Sequence, residues 1–390
     1  MSPMVHKGFQ SILFFALTLF VTAAAHANAK VEAVLKNYAD IVHANYEDSL
    51  RTAQTLQKSV DALIAAPSAA NLDKARKAWI AAREPYGQSE VFRFYGGPID
   101  DDEDVEGRLN AWPLDEAYID YVEGKPEAGI INDRSQELSI ERLIDLNAQG
   151  GEANVATGYH AVEFLLWGQD FNDKGPGNRQ YTDFVDGKKP NADRRRQYLK
   201  LVTDQIVKDL EYVTNAWKPG QDNYRADFLK DDPEVSLRKV ITSVAVLSSA
   251  ELAGERIQVA LDNQDQEDEH SCFSDNTHRD IITNAMGLRN VILGSYTRVD
   301  GSKVSGPGIK DLVAAKDKKL ADQLVADFNK SVKASENIPV PFDQAVMDTS
   351  NEKGQKLVQA TIDALKAQTM TLVRAARALG IQRLSVAPEE

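Results

Sequence analysis

Two ionisable side chains stand in an apolar segment, where their types and spacing could bind a metal ion. His160 and Glu163 lie in the stretch TGYHAVEFLLWGQD, in which most neighbours are apolar. Burying a lone imidazolium or carboxylate costs several kcal/mol, so each side chain needs a partner. That partner is either the other member of the pair, in a hydrogen bond that fixes a helix, or a metal ion that both side chains bind. The pair alone does not decide between these alternatives.

A second cluster of possible ligands is NQDQEDEHSCFSDNTHRD, residues 263–280. Glu267 and His270 repeat the spacing of the first pair in reverse order, and residues three apart share one face of a helix. Glu-x-x-His pairs of this kind also bind metal in the cores of di-iron helix bundles. A polar loop that caps a helix is the alternative. We predict that Glu267 and His270 face His160 and Glu163 in one shared metal site.

Other side chains could reach the same site. Tyr86 and Glu90 are four residues apart in REPYGQSEVFRF, while Asp275 and His278 belong to the second cluster. In the apolar segment SSAELAGERIQVAL, we expect Glu255 and Arg256 to form structural ion pairs instead.

Catalytic signatures are incomplete in this sequence. It contains no His-Glu-x-x-His, Gly-x-Ser-x-Gly or phosphate-binding glycine motif. A zinc peptidase would need about three protein ligands and a general base. His160 and Glu163 could supply two ligands, either His270 or His278 the third, and Glu267 or Glu269 the base.

Helices must position these residues. Thr157 or Gly158 can begin a short helix, and Gly168 can end it in a left-handed conformation. Long stretches repeat apolar residues at helical spacing, as in RQYLKLVTDQIVKDLEYVTNAW. The sequence therefore predicts an all-α fold of two packed helix bundles, with the site between them. The polar stretch at residues 218–234 is the predicted boundary, giving bundles at 28–225 and 226–390.

The N-terminal segment predicts export. Lys7, the apolar run SILFFALTLFVTAAA and the small residues AHA are typical of a secretory signal peptide, residues 1–27. We expect a periplasmic protein with no membrane-spanning segment after cleavage, either free or peripherally associated with the outer membrane. The net charge is −14, which disfavours nucleic acid and anionic membranes as partners and suits cations. Cys272 is the sole cysteine, so an intrachain disulfide is excluded.

The motif Gly-x-His-x-x-Glu, at Gly158, His160 and Glu163, resembles that of the imelysin-like family. The stretches REPYGQSEVFRF and GRLNAWPLDE support the resemblance, and QEDEHSCFSDNTH is similar to the iron-regulated protein A branch. The resemblance spans residues 31–379 and implies two four-helix bundles with a site around the His-x-x-Glu pair. Many members are membrane-anchored, but this chain lacks a lipidation cysteine.

The resemblance implies two functions. The family takes its name from an insulin-cleaving metallopeptidase, and members are also linked to iron acquisition. We favour a metal-binding protein that binds iron for uptake or homeostasis, with iron-uptake components of the cell envelope as partners, because carboxylates and imidazoles suit iron. A zinc-dependent peptidase is the alternative. A third hypothesis is a scaffold that binds a polymer or protein, in which the His–Glu pairs are purely structural.

Overall fold

The computed structural model describes residues 8–101, 103–172, 174–347 and 351–386, with side chains described from residue 28 onward. The predicted signal peptide, residues 1–27, lies outside the described side chains, and its cleavage stays a prediction. In the part of the chain that is described, no helix combines the length and the apolar character needed to cross a bilayer.

The described part of the chain is mostly helical, which confirms the predicted all-α class. The α-helices are α1 (Gly8–Ala65), α2 (Ala69–Ser89), α3 (Val105–Asn110), α4 (Glu116–Ile119), α5 (Ile140–Leu146), α6 (Gly158–Trp167), α7 (Ala192–Ala216), α8 (Tyr224–Lys230), α9 (Pro233–Val246), α10 (Val259–Asn263), α11 (Thr277–Leu293), α12 (Ile309–Ala314), α13 (Lys318–Ser335), α14 (Asp343–Val346) and α15 (Glu352–Ala378). Short 3₁₀ turns span Glu90–Phe92, Tyr181–Phe184 and Gln266–Asp268, and a π-helical segment spans Leu247–Gln258. Strands β1 (Ser295–Thr297) and β2 (Lys303–Ser305) form an antiparallel hairpin, in which Tyr296 faces Val304.

Helices α1, α2, α6 and α7 form the first bundle. Helix α1 packs against α2 and α7, and α6 packs against the same two helices. The predicted apolar stripe of α7 is buried along its length, at Leu199, Val202, Ile206, Leu210 and Val213. Helical periodicity thus places this face in the core, where apolar burial contributes about 25 cal/mol per Å².

The second bundle contains α9, the π-helical segment that continues it, α11, α13 and α15. Helix α13 packs against α11 and α15, while α15 also packs against the π-helical segment. Helix α11 contacts α2 of the first bundle as well. The contact between α2 and α11 therefore brings residues from the two parts of the chain next to each other.

The predicted boundary, residues 218–234, contains helix α8. Arg225 of this helix donates a hydrogen bond of 2.9 Å to the carbonyl oxygen of Ala39 in α1. The ring of Phe228 lies 5.3 Å from that of Trp217. Buried apolar side chains form a cluster with members on both sides of this segment. The division into 28–225 and 226–390 stays a prediction.

Candidate metal centre

Helix α6 carries the His-x-x-Glu pair, and a glycine sets where the helix begins. Gly158 has φ of +86°, a value that residues with a Cβ atom rarely adopt. A Cβ atom at this position would lie 2.6 Å from the carbonyl oxygen of Leu109 and 2.7 Å from that of Arg108. Gly168 ends the helix with φ 75° and ψ −169°, which is a positive φ but not the expected left-handed helical conformation. The predicted bounds of the helix are confirmed.

His160 and Glu163 are hydrogen-bonded to each other and fully buried. His160 Nδ1 lies 2.8 Å from Glu163 Oε2. Glu163 Oε1 accepts hydrogen bonds from the backbone N–H and the hydroxyl of Ser274, at 3.0 and 2.7 Å. Among the described residues, His160 Nε2 has no hydrogen-bond partner. A carboxylate that holds one imidazole nitrogen and leaves the other available is the usual support of a metal-binding histidine.

His270 lies beside His160, with the two ring centroids 4.8 Å apart. His270 Nδ1 is 3.3 Å from Asp280 Oδ2, which also accepts a short hydrogen bond from the Ser271 hydroxyl. Asp280 Oδ1 pairs with Arg83 Nε at 3.2 Å. Arg83 lies on α2 and Asp280 on α11, so this buried ion pair connects the two halves of the chain behind the imidazoles.

Both imidazoles are neutral at physiological pH, which is the form that binds metals. Burial, together with the positive charge of Arg83, lowers the pKa of His160 well below its usual value. Burial lowers the pKa of His270 to about 4. Burial raises the pKa of Glu163 to about 8, although the Ser274 hydrogen bonds act in the opposite direction. Burial alone would raise the pKa of Asp280, but the charge of Arg83 holds that pKa well below its usual range.

Glu267 does not lie where its spacing predicts. The Glu267 side chain is exposed at the surface, whereas Gln266 and Glu269 are buried. The reason is local geometry, because the 3₁₀ turn ends at Asp268 and Glu269 is extended, with φ −83° and ψ 140°, so no helical turn joins Glu267 to His270. The buried carboxylate next to His270 in sequence is therefore that of Glu269, for which the sequence predicts only the role of a peptidase base. The backbone oxygen of Glu269 accepts a hydrogen bond of 2.7 Å from Trp112 Nε1.

The additional candidates take different positions. Tyr86 is buried with its ring 4.9 Å from that of Tyr159, and neither hydroxyl has a hydrogen-bond partner among the described residues. His278 is partly exposed, and its Nδ1 lies 3.0 Å from the Asp275 carbonyl oxygen. The Asp275 carboxylate belongs to a different cluster, described below. Among the predicted ligands, the structure thus brings His160, Glu163 and His270 together.

Glu90 is occupied by arginines. Its Oε2 lies 2.6 Å from Arg256 Nη2 and 3.0 Å from Arg93 Nη1. Burial opposes ionisation, but these two charges lower the pKa of Glu90 to about 2. Arg256 also pairs with Glu251 at 2.7 Å, while Glu255 is exposed. The expected structural ion pair of Arg256 exists, but its partners are Glu90 and Glu251, and Glu90 has no role left as a free ligand.

Glu106, beside this network, should make the stability of the protein depend on pH. Burial raises its pKa to about 7, although Arg93 lies 3.0 Å away and opposes the change. A carboxyl group whose pKa is raised in the folded state stabilises the protein below its unfolded-state pKa, and this contribution is lost as pH rises through the folded-state pKa. Between pH 4.5 and pH 8, the free energy of unfolding of wild type should therefore fall by about 1–3 kcal/mol more than that of Glu106→Gln, whose side chain stays neutral. Urea unfolding at the two pH values measures this difference.

The exposed Glu103 supplies the control for this measurement. Glu103→Gln removes the same charge three residues earlier, just before α3, and should keep the wild-type pH dependence. If Glu106→Gln and wild type lose equal stability over this range, the buried carboxyl group of Glu106 does not titrate as stated.

Sequence reasoning assigned no role to Arg83, Ser274 or Asp280. Arg83 lies in a stretch that we singled out, and Asp280 ends the acidic cluster, so their opposite charges in apolar surroundings were a usable signal. Ser274 gave no such signal, because a serine in a polar loop most often caps a turn.

Comparisons with known proteins show which sequences and folds this chain is similar to. Iron-regulated protein A of Synechococcus elongatus is 25% identical over 347 residues, covering 86% of this chain and 84% of that protein. A crystal structure assigned as an iron-regulated protein A precursor from Parabacteroides distasonis has a TM-score of 0.69 and 20% identity, over 90% of this chain and 95% of the other. An imelysin-like protein from Psychrobacter arcticum has a TM-score of 0.65 and 14% identity, over 91% and 96% of the two chains.

The family assignment rests on the sequence profile described as Imelysin, which matches residues 42–372. This range includes α6 with the His-x-x-Glu pair and the loop that carries His270. The two structures support the fold, and the profile supports the family. Because the profile covers most of the sequence, the chain belongs to the imelysin family.

Proposed function

We propose that this protein is an exported, non-enzymatic metal-binding protein that binds iron, for uptake or homeostasis, at the buried centre around His160. One observation carries the proposal: His160 Nε2 is buried without a hydrogen-bond partner among the described residues, while Glu163 holds the other ring nitrogen at 2.8 Å. A buried polar atom left without a partner is costly, and a bound cation supplies one.

The neighbouring groups fit an iron ion. His270 presents a second neutral imidazole, and the carboxylate of Glu163 orients the ring of His160. Imidazole and carboxylate groups are common iron ligands, whereas soft thiolates favour other metals. Burial raises the pKa of the Cys272 thiol well above its usual value, so this thiol stays protonated and is a poor ligand. The similarity to a protein named iron-regulated protein A agrees with iron as the cargo.

Burial argues against the peptidase alternative. A catalytic zinc keeps one position open so that substrate can reach it. His160 and Glu163 are at most 1% exposed, and the cleft nearest in sequence, of about 580 Å³, is lined by Trp167, Gly168 and Asp170. A peptide bond would have to pass the side chains between this cleft and His160. Binding of a small ion is the function that such a centre supports best.

The proposed location is the periplasm, with iron-uptake components of the cell envelope as partners. The acidic net charge of −14 would attract cations to the protein surface. This location rests on the N-terminal sequence, and the partners rest on the family resemblance.

The His160→Ala variant tests the proposal. We expect it to bind Fe²⁺ about 10- to 100-fold more weakly than wild type, because the ligand atom is removed while helix α6 keeps its other contacts. The protein is purified without added metal and treated with a chelator. Fe²⁺ is then titrated under anaerobic conditions by calorimetry, and circular dichroism checks that the helical content is retained.

The control is His43→Ala, because His43 lies on α1 outside this centre and pairs with Glu47 at 3.8 Å. This variant should bind Fe²⁺ like wild type. Equal affinity of His160→Ala and wild type would mean that the His–Glu pair is purely structural.

Each sample is also incubated with zinc and insulin. Cleavage by wild type that His160→Ala lacks would favour the peptidase alternative.

A further inference from the structure

Three carboxylates from distant parts of the chain meet in a second buried cluster. One oxygen each from Asp170, Asp275 and Asp343 lies within 4.8 Å of the other two. The three residues are 8%, 9% and 1% exposed. Asp170 follows helix α6, Asp275 precedes α11, and Asp343 begins α14. Three negative charges this close, and shielded from water, repel each other strongly unless a proton or a cation neutralises them.

A fourth acid, Glu269, lies close enough to the same cluster to interact electrostatically with its three carboxylates. It is 0% exposed, and no hydrogen bond of normal geometry reaches either of its carboxylate oxygens, although Thr277 lies close by. The charges of Asp343, Asp275 and Asp170 all act on it. Asp275 Oδ1 is likewise buried without a hydrogen bond of normal geometry among the described residues, although the Asp170 carboxyl group lies within hydrogen-bonding reach of Asp275. These oxygen atoms are therefore available to a ligand with positive charge.

Two other buried acids of this fold are paired with arginine. Asp120 pairs with Arg195 at 2.6 Å, and Asp280 pairs with Arg83 at 3.2 Å. By contrast, the strongest charges that act on Asp275 are those of Asp343 and Asp170, which are both acids. Among the described residues, neither Asp275 nor Glu269 has the arginine partner that Asp120 and Asp280 have. A buried carboxylate without compensation costs several kcal/mol.

We propose that Asp170, Asp275 and Asp343 bind a hard divalent cation, with Ca²⁺ as the preferred ion and Glu269 as a further oxygen donor. Ca²⁺ takes six to eight oxygen ligands at about 2.3–2.6 Å, so two oxygens bound to one ion lie at most about 5 Å apart. The 4.8 Å limit on the three carboxylates meets this condition. All donors are carboxylate oxygens, which select Ca²⁺, Mg²⁺ or Mn²⁺ over metals that favour nitrogen or sulfur ligands.

The cluster also has a route for the ion. Asp170 lines the cleft of about 580 Å³, together with Gln169 and Phe171. Water in this cleft can complete the coordination shell, because Ca²⁺ accepts water among its ligands. Gln266 Nε2 and the Asn172 backbone N–H each donate a hydrogen bond of 2.8 Å to Asp170, which favours its ionised form.

The proposed cation has a structural consequence. It would join the segment after α6, the loop before α11 and the start of α14 at one point. His160 lies on α6, which Asp170 follows, and His270 lies in the loop that also carries Asp275. The cation would therefore hold together the walls of the neighbouring centre. This inference is separate from iron binding, because no imidazole takes part in the cluster.

The test is the thermal response to Ca²⁺ of the full protein after treatment with a chelator. We expect millimolar Ca²⁺ to raise the Tm of wild type by at least about 3 °C, because a ligand that binds the folded state alone stabilises it. Asp275→Asn should lose most of this response and bind Ca²⁺ at least about tenfold more weakly, since it removes one ligand charge. Without Ca²⁺ the same variant should melt at or above the wild-type Tm, because like-charge repulsion is relieved.

Glu123→Gln is the matched control, because Glu123 is exposed on the wall of the same cleft. It loses the same charge and should keep the wild-type response to Ca²⁺. Mg²⁺ and Mn²⁺ at the same concentration identify which hard cation is preferred. Equal Tm shifts in wild type and Asp275→Asn would overturn the proposal. His160→Ala should retain the Ca²⁺ response, so failure of iron binding and failure of this site can be told apart.

Discussion

Gly158→Ala should destabilise the protein by about 3 kcal/mol or more, because two costs add at this position. The positive φ of +86° costs a residue with a Cβ atom about 1–2 kcal/mol. The new methyl group would also lie 2.6 Å from the carbonyl oxygen of Leu109, so the backbone of α3 or of α6 must move. Urea unfolding followed by circular dichroism measures the loss.

Gly124→Ala separates the two costs. Gly124 also has a positive φ, of +75°, but a Cβ atom there would meet nothing within 4 Å. This control should therefore lose about 1–2 kcal/mol, the cost of the conformation alone. Because α6 carries His160, Gly158→Ala should also weaken Fe²⁺ binding, whereas Gly124→Ala should not. Similar losses of stability in both variants would show that the contact with α3 relaxes without cost.

The sequence predicted those parts of the fold that depend on local periodicity. The apolar stripe of α7 and the bounds of α6 follow from residues three or four positions apart, and both are confirmed. The glycine of the motif also gives a local signal, because a glycine at the start of a helix indicates a positive φ or a close contact with another part of the backbone. What could not be predicted was the reason itself, a close approach to α3 nearly fifty residues earlier in the chain.

The centre was predictable where one helix carries it and unpredictable where a loop does. His160 and Glu163 share a face because α6 is a regular helix, so their spacing fixed their relation. Glu267 and His270 have the same spacing, but the turn that carries Glu267 ends at Asp268 and Glu269 is extended, so Glu267 lies at the surface. A propensity argument cannot distinguish these cases, because the loop conformation is set by tertiary contacts such as that between Trp112 and the Glu269 backbone.

The acidic cluster shows the limit of sequence spacing most clearly. Asp170, Asp275 and Asp343 come from three segments, and no periodicity relates them. The sequence placed Asp275 near the His160 centre, yet its carboxylate points to a different group of acids. The ion pair of Glu90 could not be predicted from the sequence either, because its partner, Arg256, lies 166 residues away in the chain.

Arg83→Met should destabilise the protein by about 3–5 kcal/mol, the usual result of removing one partner from a buried ion pair. Arg83 is 2% exposed and holds Asp280, which is 1% exposed, with Nε at 3.2 Å. Methionine keeps much of the side-chain volume, so loss of packing contributes little to the change. The Asp280 carboxylate would remain buried without its cation, and its pKa should rise toward or above the usual value. Guanidinium or urea unfolding at pH 7 measures the loss.

Two further variants distinguish the buried charge from other effects. Lys77→Met on the same helix breaks the exposed pair with Asp73, which has an N–O distance of 2.8 Å, and should cost less than about 1 kcal/mol. The double variant Arg83→Met with Asp280→Asn should recover part of the lost stability, since it removes the uncompensated charge. If Arg83→Met costs no more than Lys77→Met, the ion pair between α2 and α11 does not hold the two halves of the chain together. If instead the loss is large and the double variant recovers stability, the charge behind the imidazoles is what joins the two bundles at the centre.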